Sequence, residues 1–165
     1  MQKLNILLVI PRYRTYSKSN HYVMPLGILY ISSYLKQAQV ANVRTVNLNH
    51  KEGEEENILS DLIGQHHTDI LGIGGLSGEY QDIARIIKLA KKINPSIKTI
   101  VGGGIMTADP VTAMHSMPEI DYGIIGEGEI TIVELITALT RKLPVNHIDG
   151  IIFRESGRYI TTPSR

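Results

Sequence analysis

Three consecutive glycines, Gly102, Gly103 and Gly104, are the residues whose type and spacing most directly suggest a ligand site. They follow residues 99–101, a β-branched and apolar run that is typical of a short strand buried on both faces. Glycine has no Cβ, so the backbone here can approach a flat or bulky partner closely. A tight turn usually needs one left-handed residue rather than three. The run therefore predicts a binding loop, and it offers no acid, base or nucleophile.

Two more glycine clusters occur where other predicted strands end. Residues 74–78 include three glycines and follow an apolar run at residues 69–73. Residues 126–128 include two glycines and follow a second run at residues 120–125. The carboxyl ends of parallel strands meet at one edge of a sheet, where open α/β sheets bind their ligands. One large ligand that contacts three neighbouring loops would explain all three clusters.

The loop after the first predicted strand is long and polar, and it spans residues 11–24. It begins with Pro11, Arg12, Tyr13 and Arg14, where a dinucleotide-binding fold has its glycine-rich turn, so NAD binding is not expected. The chain has no Gly-Lys-Ser/Thr phosphate loop, which excludes a P-loop nucleotide triphosphatase. Long βα loops are usually functional, and the tyrosines of this one favour packing against a partner over a disordered insertion.

Composition restricts the class of protein. The 165 residues suffice for one domain with a core, and 42% apolar and 20% charged residues are ordinary globular values. The net charge of +1 disfavours nucleic acid and anionic membranes as partners. The absence of cysteine excludes disulfides, thiolate metal sites and iron–sulfur ligation within these residues, and it fits a cytoplasmic protein. No apolar run is long enough to predict a membrane span.

Strands and helices alternate along the chain. Strands are predicted at residues 5–10, 43–48, 69–73, 99–101 and 120–125. Helices are predicted at residues 25–39, 52–64, 81–93, 111–117 and 132–142. This alternation predicts an α/β fold with a doubly wound, mostly parallel five-stranded sheet. Residues 148–153 and 158–162 flank a Glu-Ser-Gly turn and predict a C-terminal β-hairpin, expected at an edge and outside the core.

Two clusters of ionisable residues have structural interpretations. Acidic residues at positions 52, 54, 55 and 56 precede an apolar helical pattern, so we interpret them as a helix start rather than a cation site. His66 and His67 precede the third predicted strand, at the edge opposite the ligand edge. We therefore expect a solvated loop there and no metal site.

Four segments together resemble a known family. They are Met-Pro-Leu-Gly-Ile-Leu-Tyr-Ile-Ser-Ser-Tyr-Leu at residues 24–35, Val-Gly-Gly-Gly-Ile-Met-Thr-Ala-Asp-Pro at 101–110, Ile-Asp-Tyr-Gly-Ile-Ile-Gly-Glu-Gly-Glu at 120–129 and Ile-Asp-Gly-Ile-Ile-Phe-Arg at 148–154. In this order and spacing they are similar to the amino-terminal cobalamin (B12)-binding domain of B12-dependent radical S-adenosylmethionine enzymes. The resemblance covers the chain from end to end.

The resemblance implies a flavodoxin-like or Rossmann-like fold with strand order 2-1-3-4-5 and cobalamin over the carboxyl ends of the strands. The loop after the first strand would pack against the corrin, and the loop after the third strand would line the dimethylbenzimidazole tail. The loop after the fourth strand would let the tail or the corrin edge pass close to the backbone. The loop after the fifth strand would contact the tail or the corrin amides through its backbone and through a glutamate that accepts hydrogen bonds. The implied cofactor-binding residues are Tyr13, Tyr22, Met24, Gly75, Leu76, Ser77, Gly102, Gly103, Gly104, Gly126, Glu127 and Gly128.

Two family motifs are missing from this sequence. B12 proteins that ligate cobalt with histidine carry Asp-x-His-x-x-Gly after the first strand, and residues 11–16 contain neither that histidine nor that glycine. No protein ligand to cobalt is expected from that motif, and we interpret His21 in the same loop as solvated. The radical chemistry needs Cys-x-x-x-Cys-x-x-Cys, and this chain has no cysteine. The 4Fe–4S cluster and S-adenosylmethionine are therefore expected in a C-terminal radical SAM domain of the same polypeptide.

This reasoning divides the chain into a cobalamin-binding domain at residues 1–142 and a hairpin at residues 143–165 that leads into the radical SAM domain. The expected function is a cobalamin-binding module, not catalytic by itself, of a methyltransferase-like radical SAM enzyme. One alternative is a flavodoxin-like flavin or nucleotide binder, with phosphate held by the hydroxyls of Thr15, Ser17 and Ser19. The other is a degenerate interaction domain that has lost its cofactor.

Overall fold

The computed structural model describes residues 3–13 and 25–165, and in these ranges seven strands form one sheet. The strands are β1 Leu4–Ile10, β2 Ala41–Asn47, β3 Ile70–Gly74, β4 Lys98–Gly102, β5 Tyr122–Ile124, β6 Ile151–Glu155 and β7 Arg158–Thr161. Their order is β2-β1-β3-β4-β5-β6-β7, with β1 to β5 parallel and β6 and β7 antiparallel. The predicted α/β class and the 2-1-3-4-5 order of the parallel strands are confirmed.

Six helices cover the two faces of the sheet within the described ranges. They are α1 Leu26–Ala38, α2 Glu55–His66, α3 Tyr80–Ile93, α4 Gly104–Ala108, α5 Pro110–Ser116 and α6 Glu129–Arg141. Helix α2 begins with two glutamates in its first turn, as the acidic cluster predicted, because acidic groups there oppose the helix dipole. Helix α4 was not predicted, since five residues are too few to show helical periodicity.

The core has two layers because side chains alternate across each strand. On one face, Ile6 and Leu8 of β1 pack with Leu35 of α1 and with α6. On the other face, Leu7 and Val9 pack with α2 and α3. Both faces of β1 are thus covered, which explains why its sequence is a continuous apolar run rather than an alternating one.

The hairpin departs from expectation. Strand β6 lies inside the sheet between β5 and β7, and Ile151, Ile152 and Phe153 are buried. The expectation of an edge position outside the core is wrong for β6 and right for β7, which is the last strand of the sheet. Strand β5 has only three residues, so β6 is needed to cover and pair it. The sheet consequently has seven strands, five from the parallel unit and two from the hairpin.

Candidate functional site

The loops after β3, β4 and β5 form one continuous surface at the carboxyl edge of the sheet. The N–H of Gly75 donates to the carbonyl of Gly102 at 3.3 Å, and the N–H of Ile105 donates to the carbonyl of Gly75 at 3.0 Å. The N–H of Gly126 donates at 3.0 Å to the hydroxyl of Thr107, in α4. The three glycine clusters are therefore adjacent, as their positions in the sequence predicted.

Several of these glycines allow the loops to pack against each other. Gly103 has a φ of +83°, and a Cβ there would lie 2.9 Å from the carbonyl oxygen of Gly75. A Cβ at Gly104 would lie 2.9 Å from Cδ2 of Leu76, and one at Gly75 would collide with the carboxylate of Glu79. Contact between the loops thus explains glycine at positions 103 and 104 without any ligand, and contact within the loop after β3 explains Gly75. A bulkier residue at Gly103 would displace the loop after β3.

Gly102 and Gly126 have a different environment. The nearest heavy atom to a Cβ on Gly102 would be Cβ of Ile124, at 3.8 Å, and its φ lies outside the left-handed range. A Cβ on Gly126 would meet nothing within 4 Å, although the φ of +75° favours glycine there. A Cβ would therefore fit at Gly102 without a clash, so packing inside the protein does not explain the small residue there, and open space lies beside Gly126.

Three exposed side chains stand on the same edge. Leu76 is 62% exposed, although leucine is normally buried, and its N–H donates to the carboxylate of Glu79 at 2.8 Å. Ser77 and Glu127 are also exposed. An apolar side chain, a hydroxyl and a carboxylate on adjacent loops can together contact a ligand that has both ring and amide groups. Gly128 lies at the inner side of this edge, where a Cβ would come within 3.1 Å of Ile31 of α1.

The first loop contributes Tyr13, which is half-buried at the end of β1. Its N–H donates to Oδ1 of Asn49 at 3.0 Å, and Nδ2 of Asn49 donates to the carbonyl of Pro11 at 2.8 Å. Tyr22 and Met24 lie outside the described residues, so their role stays a prediction.

Residues 14–24 also contain His21 and the three hydroxyls that the flavin alternative requires, and they too lie outside the described ranges.

Helix α1 has an unusual outer face that the sequence patterns did not single out. Leu26, Leu29, Tyr30 and Tyr34 are all exposed there, at a spacing that places them along one side of the helix. Lys36 is the single charged residue of α1. A helix that is apolar on both faces is normally covered by other protein. The sequence could have indicated this exposed apolar face, because the polar side of the amphipathic helix predicted at residues 25–39 has almost no charged residues.

The opposite, amino edge of the sheet holds two cavities of about 570 and 240 Å³, and neither is lined by any of the predicted cofactor-binding residues that the structure describes. Asp121 lines the smaller cavity and accepts from Nζ of Lys91 at 2.6 Å, Nζ of Lys98 at 3.0 Å and the N–H of Thr99 at 2.9 Å. Burial would raise the pKa of Asp121, but the hydrogen bonds from Lys91, Thr99 and Lys98 outweigh it and lower the pKa. These contacts connect α3 and β4 to Asp121, the residue that precedes β5.

The paired histidines lie at the amino edge as predicted, but they are not a loop. His66 is the last residue of α2, half-buried, with Nε2 3.2 Å from the carbonyl oxygen of Ile6. His67 is exposed and caps the helix at a φ of +47°. The expectation of a solvated loop is therefore wrong for His66, because the C-terminal turn of α2 packs against β1. In the described part of the chain, no three histidine, aspartate or glutamate side chains form a group able to hold a metal ion.

The model of the B12 binding domain family matches residues 16–136, well over half of the chain. An uncharacterised methyltransferase, PH0819, from Pyrococcus horikoshii is 30% identical over the whole of this chain and 36% of its own length. The anaerobic magnesium-protoporphyrin IX monomethyl ester cyclase of Rubrivivax gelatinosus is 26% identical over 85% of this chain and 26% of its own length. The chain thus spans about a third or less of these relatives.

Solved structures show the same fold. The radical S-adenosylmethionine methyltransferase TsrM from Kitasatospora setae, with cobalamin and a 4Fe–4S cluster bound, superimposes with a TM-score of 0.82 at 16% identity, over 98% of this chain and 29% of that chain. The cobalamin-dependent radical enzyme OxsB, with aqua-cobalamin and S-adenosylmethionine bound, gives 0.80 at 22% identity, over 99% of this chain and 22% of that chain.

None of the helices in the described ranges is long and apolar enough to cross a membrane. The fold, the resemblance to radical SAM enzymes and the cobalamin expectation agree with the family match and with these structures. The chain belongs to the B12-binding domain family and resembles the cobalamin modules of B12-dependent radical SAM methyltransferases.

Proposed function

We propose that this chain binds cobalamin along the carboxyl edge of its sheet and presents it to a separate catalytic domain. The observation that carries the proposal is that a Cβ would meet nothing within 4 Å at Gly126 and only an ordinary contact at Gly102, whereas Gly103 and Gly104 on the same edge are closed by the loop after β3. Exposed Leu76 lies against Gly104 on the same edge, so the edge offers both room and an apolar contact for a large planar ligand. The residues present therefore fit the cofactor.

Each loop has a proposed task. Gly75, Leu76 and Ser77 line the dimethylbenzimidazole tail, and Gly102 with its two neighbouring glycines lets the tail or corrin edge lie close to backbone. Gly126 and Gly128 contact the ligand through backbone, and the carboxylate of Glu127 accepts hydrogen bonds from corrin amides. Tyr13 shields the corrin from water, together with Tyr22 and Met24 of the same loop.

When bound, cobalamin supplies an organometallic cobalt centre that can carry a transferable methyl group. The protein's part is binding, orientation and exclusion of water. No side chain of the chain is proposed as an acid, base or nucleophile.

The test is retention of cobalamin by the purified protein. After mixing with hydroxocobalamin or methylcobalamin and desalting, the visible spectrum should show bound corrin. Gly102→Val should weaken binding strongly, since the new side chain would stand where the ligand approaches the backbone, while the Cβ meets nothing closer than 3.8 Å and the backbone conformation suits any residue. Gly64→Val is the control, because a Cβ at Gly64 also meets no clash but the residue lies at the amino edge. Equal corrin retention by the two variants would contradict the proposed site.

A flavin site is the other reading of the same fold. It requires that flavin mononucleotide binds the wild-type protein and that Ser17→Ala and Ser19→Ala weaken this binding. Binding of flavin mononucleotide in place of cobalamin would replace the proposal, and binding of neither would favour an interaction domain.

We further propose that the native polypeptide is longer and continues into a radical SAM domain that holds the 4Fe–4S cluster and S-adenosylmethionine, with residues 143–165 as the lead-in. The relatives support this, since the chain covers 36% of PH0819 and 29% of TsrM. The proposed 4Fe–4S cluster and S-adenosylmethionine, and the absence of cysteine from residues 1–165, suit the reducing cytoplasm. An antibody against this chain should detect a native protein well above 18.3 kDa, and a native band at that mass would refute a longer polypeptide.

The outer face of α1 is the surface that we propose for that domain. Arg165 pairs with Glu134 and donates to the hydroxyl of Thr131 at 3.1 Å, so residue 165 lies against α6. Helix α6 packs beside α1. Polypeptide continuing from this point would begin beside the pair of helices α1 and α6, and α1 carries the exposed Leu26 and Tyr30. A radical SAM domain that packs on this face would bury these apolar side chains, which explains why α1 carries them on its outer side.

A further inference from the structure

Two carboxylates are almost completely buried on the sheet face that α2 and α3 cover. Glu55 is 4% exposed and Asp82 is 3% exposed. Arg85 holds both: Nε and Nη2 donate to the two oxygens of Glu55 at 2.7 and 3.2 Å, and Nη1 donates to Asp82 at 2.7 Å. Burying two carboxylates requires removing them from water, so such a cluster is weak evidence for stability. Its geometry suggests a positioning role instead.

The group that this cluster positions is the start of the first loop. Nη2 of Arg85 also donates to the carbonyl of Arg12 at 3.2 Å, two residues after β1 ends. The guanidinium of Arg12 reaches the other way and donates to the carbonyls of Leu48, Lys51 and Gly53 at 3.4, 2.6 and 3.2 Å. Residue 12 is therefore held from both sides, through its carbonyl and through its side chain.

The neighbours of Arg12 are fixed in the same manner. Asn49 donates to the carbonyl of Pro11 and accepts from the N–H of Tyr13, at 2.8 and 3.0 Å. Residues 11–13 belong to no helix or strand, so these side chains replace the hydrogen bonds that secondary structure would supply. Tyr13 thus leaves the sheet in a defined direction.

We propose that Arg85 is a positioning residue of the cobalamin site, which fixes Tyr13 against the corrin by holding the carbonyl of Arg12. This inference rests on the proposed function, because it assumes that Tyr13 contacts cobalamin. A guanidinium is required because it presents several N–H donors in a rigid fork, whereas lysine has one compact ammonium. Lysine cannot keep Glu55, Asp82 and the Arg12 carbonyl together in this geometry.

The experiment compares Arg85→Lys with Lys91→Met. The lysine variant keeps the positive charge between the carboxylates, so we expect it to fold. Lys91 is the matched control: it lies on the same helix, its side chain is equally exposed at 22%, and it pairs with Asp121 at the opposite edge. Cobalamin titration followed by absorbance gives Kd, thermal unfolding gives Tm, and hydrogen exchange reports on the Tyr13 amide.

The expected result is a Kd raised about 10-fold in Arg85→Lys, as for other residues that orient ligand-contacting groups. The Tyr13 amide should also exchange faster, with or without cobalamin. Lys91→Met should lower Tm while leaving both Kd and that amide unchanged. Wild-type Kd and unchanged Tyr13 exchange in Arg85→Lys would overturn the inference. Absence of cobalamin binding by the wild type would instead refute the proposed function, and the amide exchange would still decide whether Arg85 orders the loop.

Discussion

The N–H of Gly126 donates to the hydroxyl of Thr107, and that hydroxyl donates in turn to the carbonyl of Gly103 at 3.2 Å. One exposed side chain thus connects the loops after β4 and β5. Both loops belong to the proposed cobalamin site, so we expect this hydroxyl to hold the two loops in a fixed position relative to each other.

Thr107→Val should therefore weaken cobalamin binding. The substitution removes both hydrogen bonds of the hydroxyl, and loss of the one that joins the two loops corresponds to about 1 kcal/mol, or about fivefold in Kd. Thr140→Val is the control, because the Thr140 hydroxyl also donates to the carbonyl four residues earlier, but in α6. Titration should show a raised Kd for the first variant and wild-type Kd for the second. If both variants bind equally well, the Thr107 bridge does not shape the site.

Gly123→Ala should destabilise the protein. A Cβ on Gly123 would lie 2.6 Å from Cγ2 of Ile152 and would collide with Cε of Met106, so β5 could no longer pack between α4 and the hairpin. Overpacking of this kind costs about 1–3 kcal/mol in unfolding free energy, measured by urea denaturation. Gly64→Ala, where the new methyl meets nothing within 4 Å, should instead stabilise α2 slightly. A wild-type midpoint for Gly123→Ala would mean that the hairpin is loosely attached.

Asp121 should make stability depend on acid pH. Burial raises the pKa of Asp121, but hydrogen bonds from Lys91, the Thr99 N–H and Lys98 lower it by more than burial raises it. The folded pKa therefore lies below the unfolded value of about 3.9. The folded state then binds fewer protons, and the stabilisation is complete above the unfolded pKa and lost as pH falls through the folded one. Urea midpoints measured from neutral pH into this range should fall less steeply in Asp121→Asn. Identical slopes would show that Asp121 contributes nothing to the acid limb.

The outer face of α1 gives a prediction about the longer polypeptide. Tyr30 is 56% exposed, so Tyr30→Ser should change the unfolding free energy of this chain by no more than about 0.5 kcal/mol. In the longer polypeptide the same substitution should increase proteolysis between the domains, because it removes apolar contact area. Lys36→Ser, on the same helix, should have no such effect. Equal proteolysis of the two variants would place the interface elsewhere.

Local patterns predicted most of the parallel sheet. The sequence shows the apolar run in β1 and the glycines that follow β3, β4 and β5. These features can be predicted because strand burial and backbone freedom depend on a few consecutive residues. The interpretation of those glycines needed the structure. Gly103 and Gly104 are explained by contact between two loops, whereas Gly102 leaves space, and the sequence pattern is the same for all three.

The sequence by itself determined the fold class, since this follows from local periodicity and from the rules of parallel sheets. The order of the parallel strands came from the family resemblance, and the edge at which a ligand binds stays a prediction. Only the tertiary structure placed β6 inside the sheet, because Gly123 and Ile152 are far apart in the chain and no local pattern announces their packing. The same reason hid the role of Arg85, which joins Glu55 and the carbonyl of Arg12 across long stretches of sequence. Spacing reports on neighbours along the chain, whereas a positioning network is built from neighbours in space.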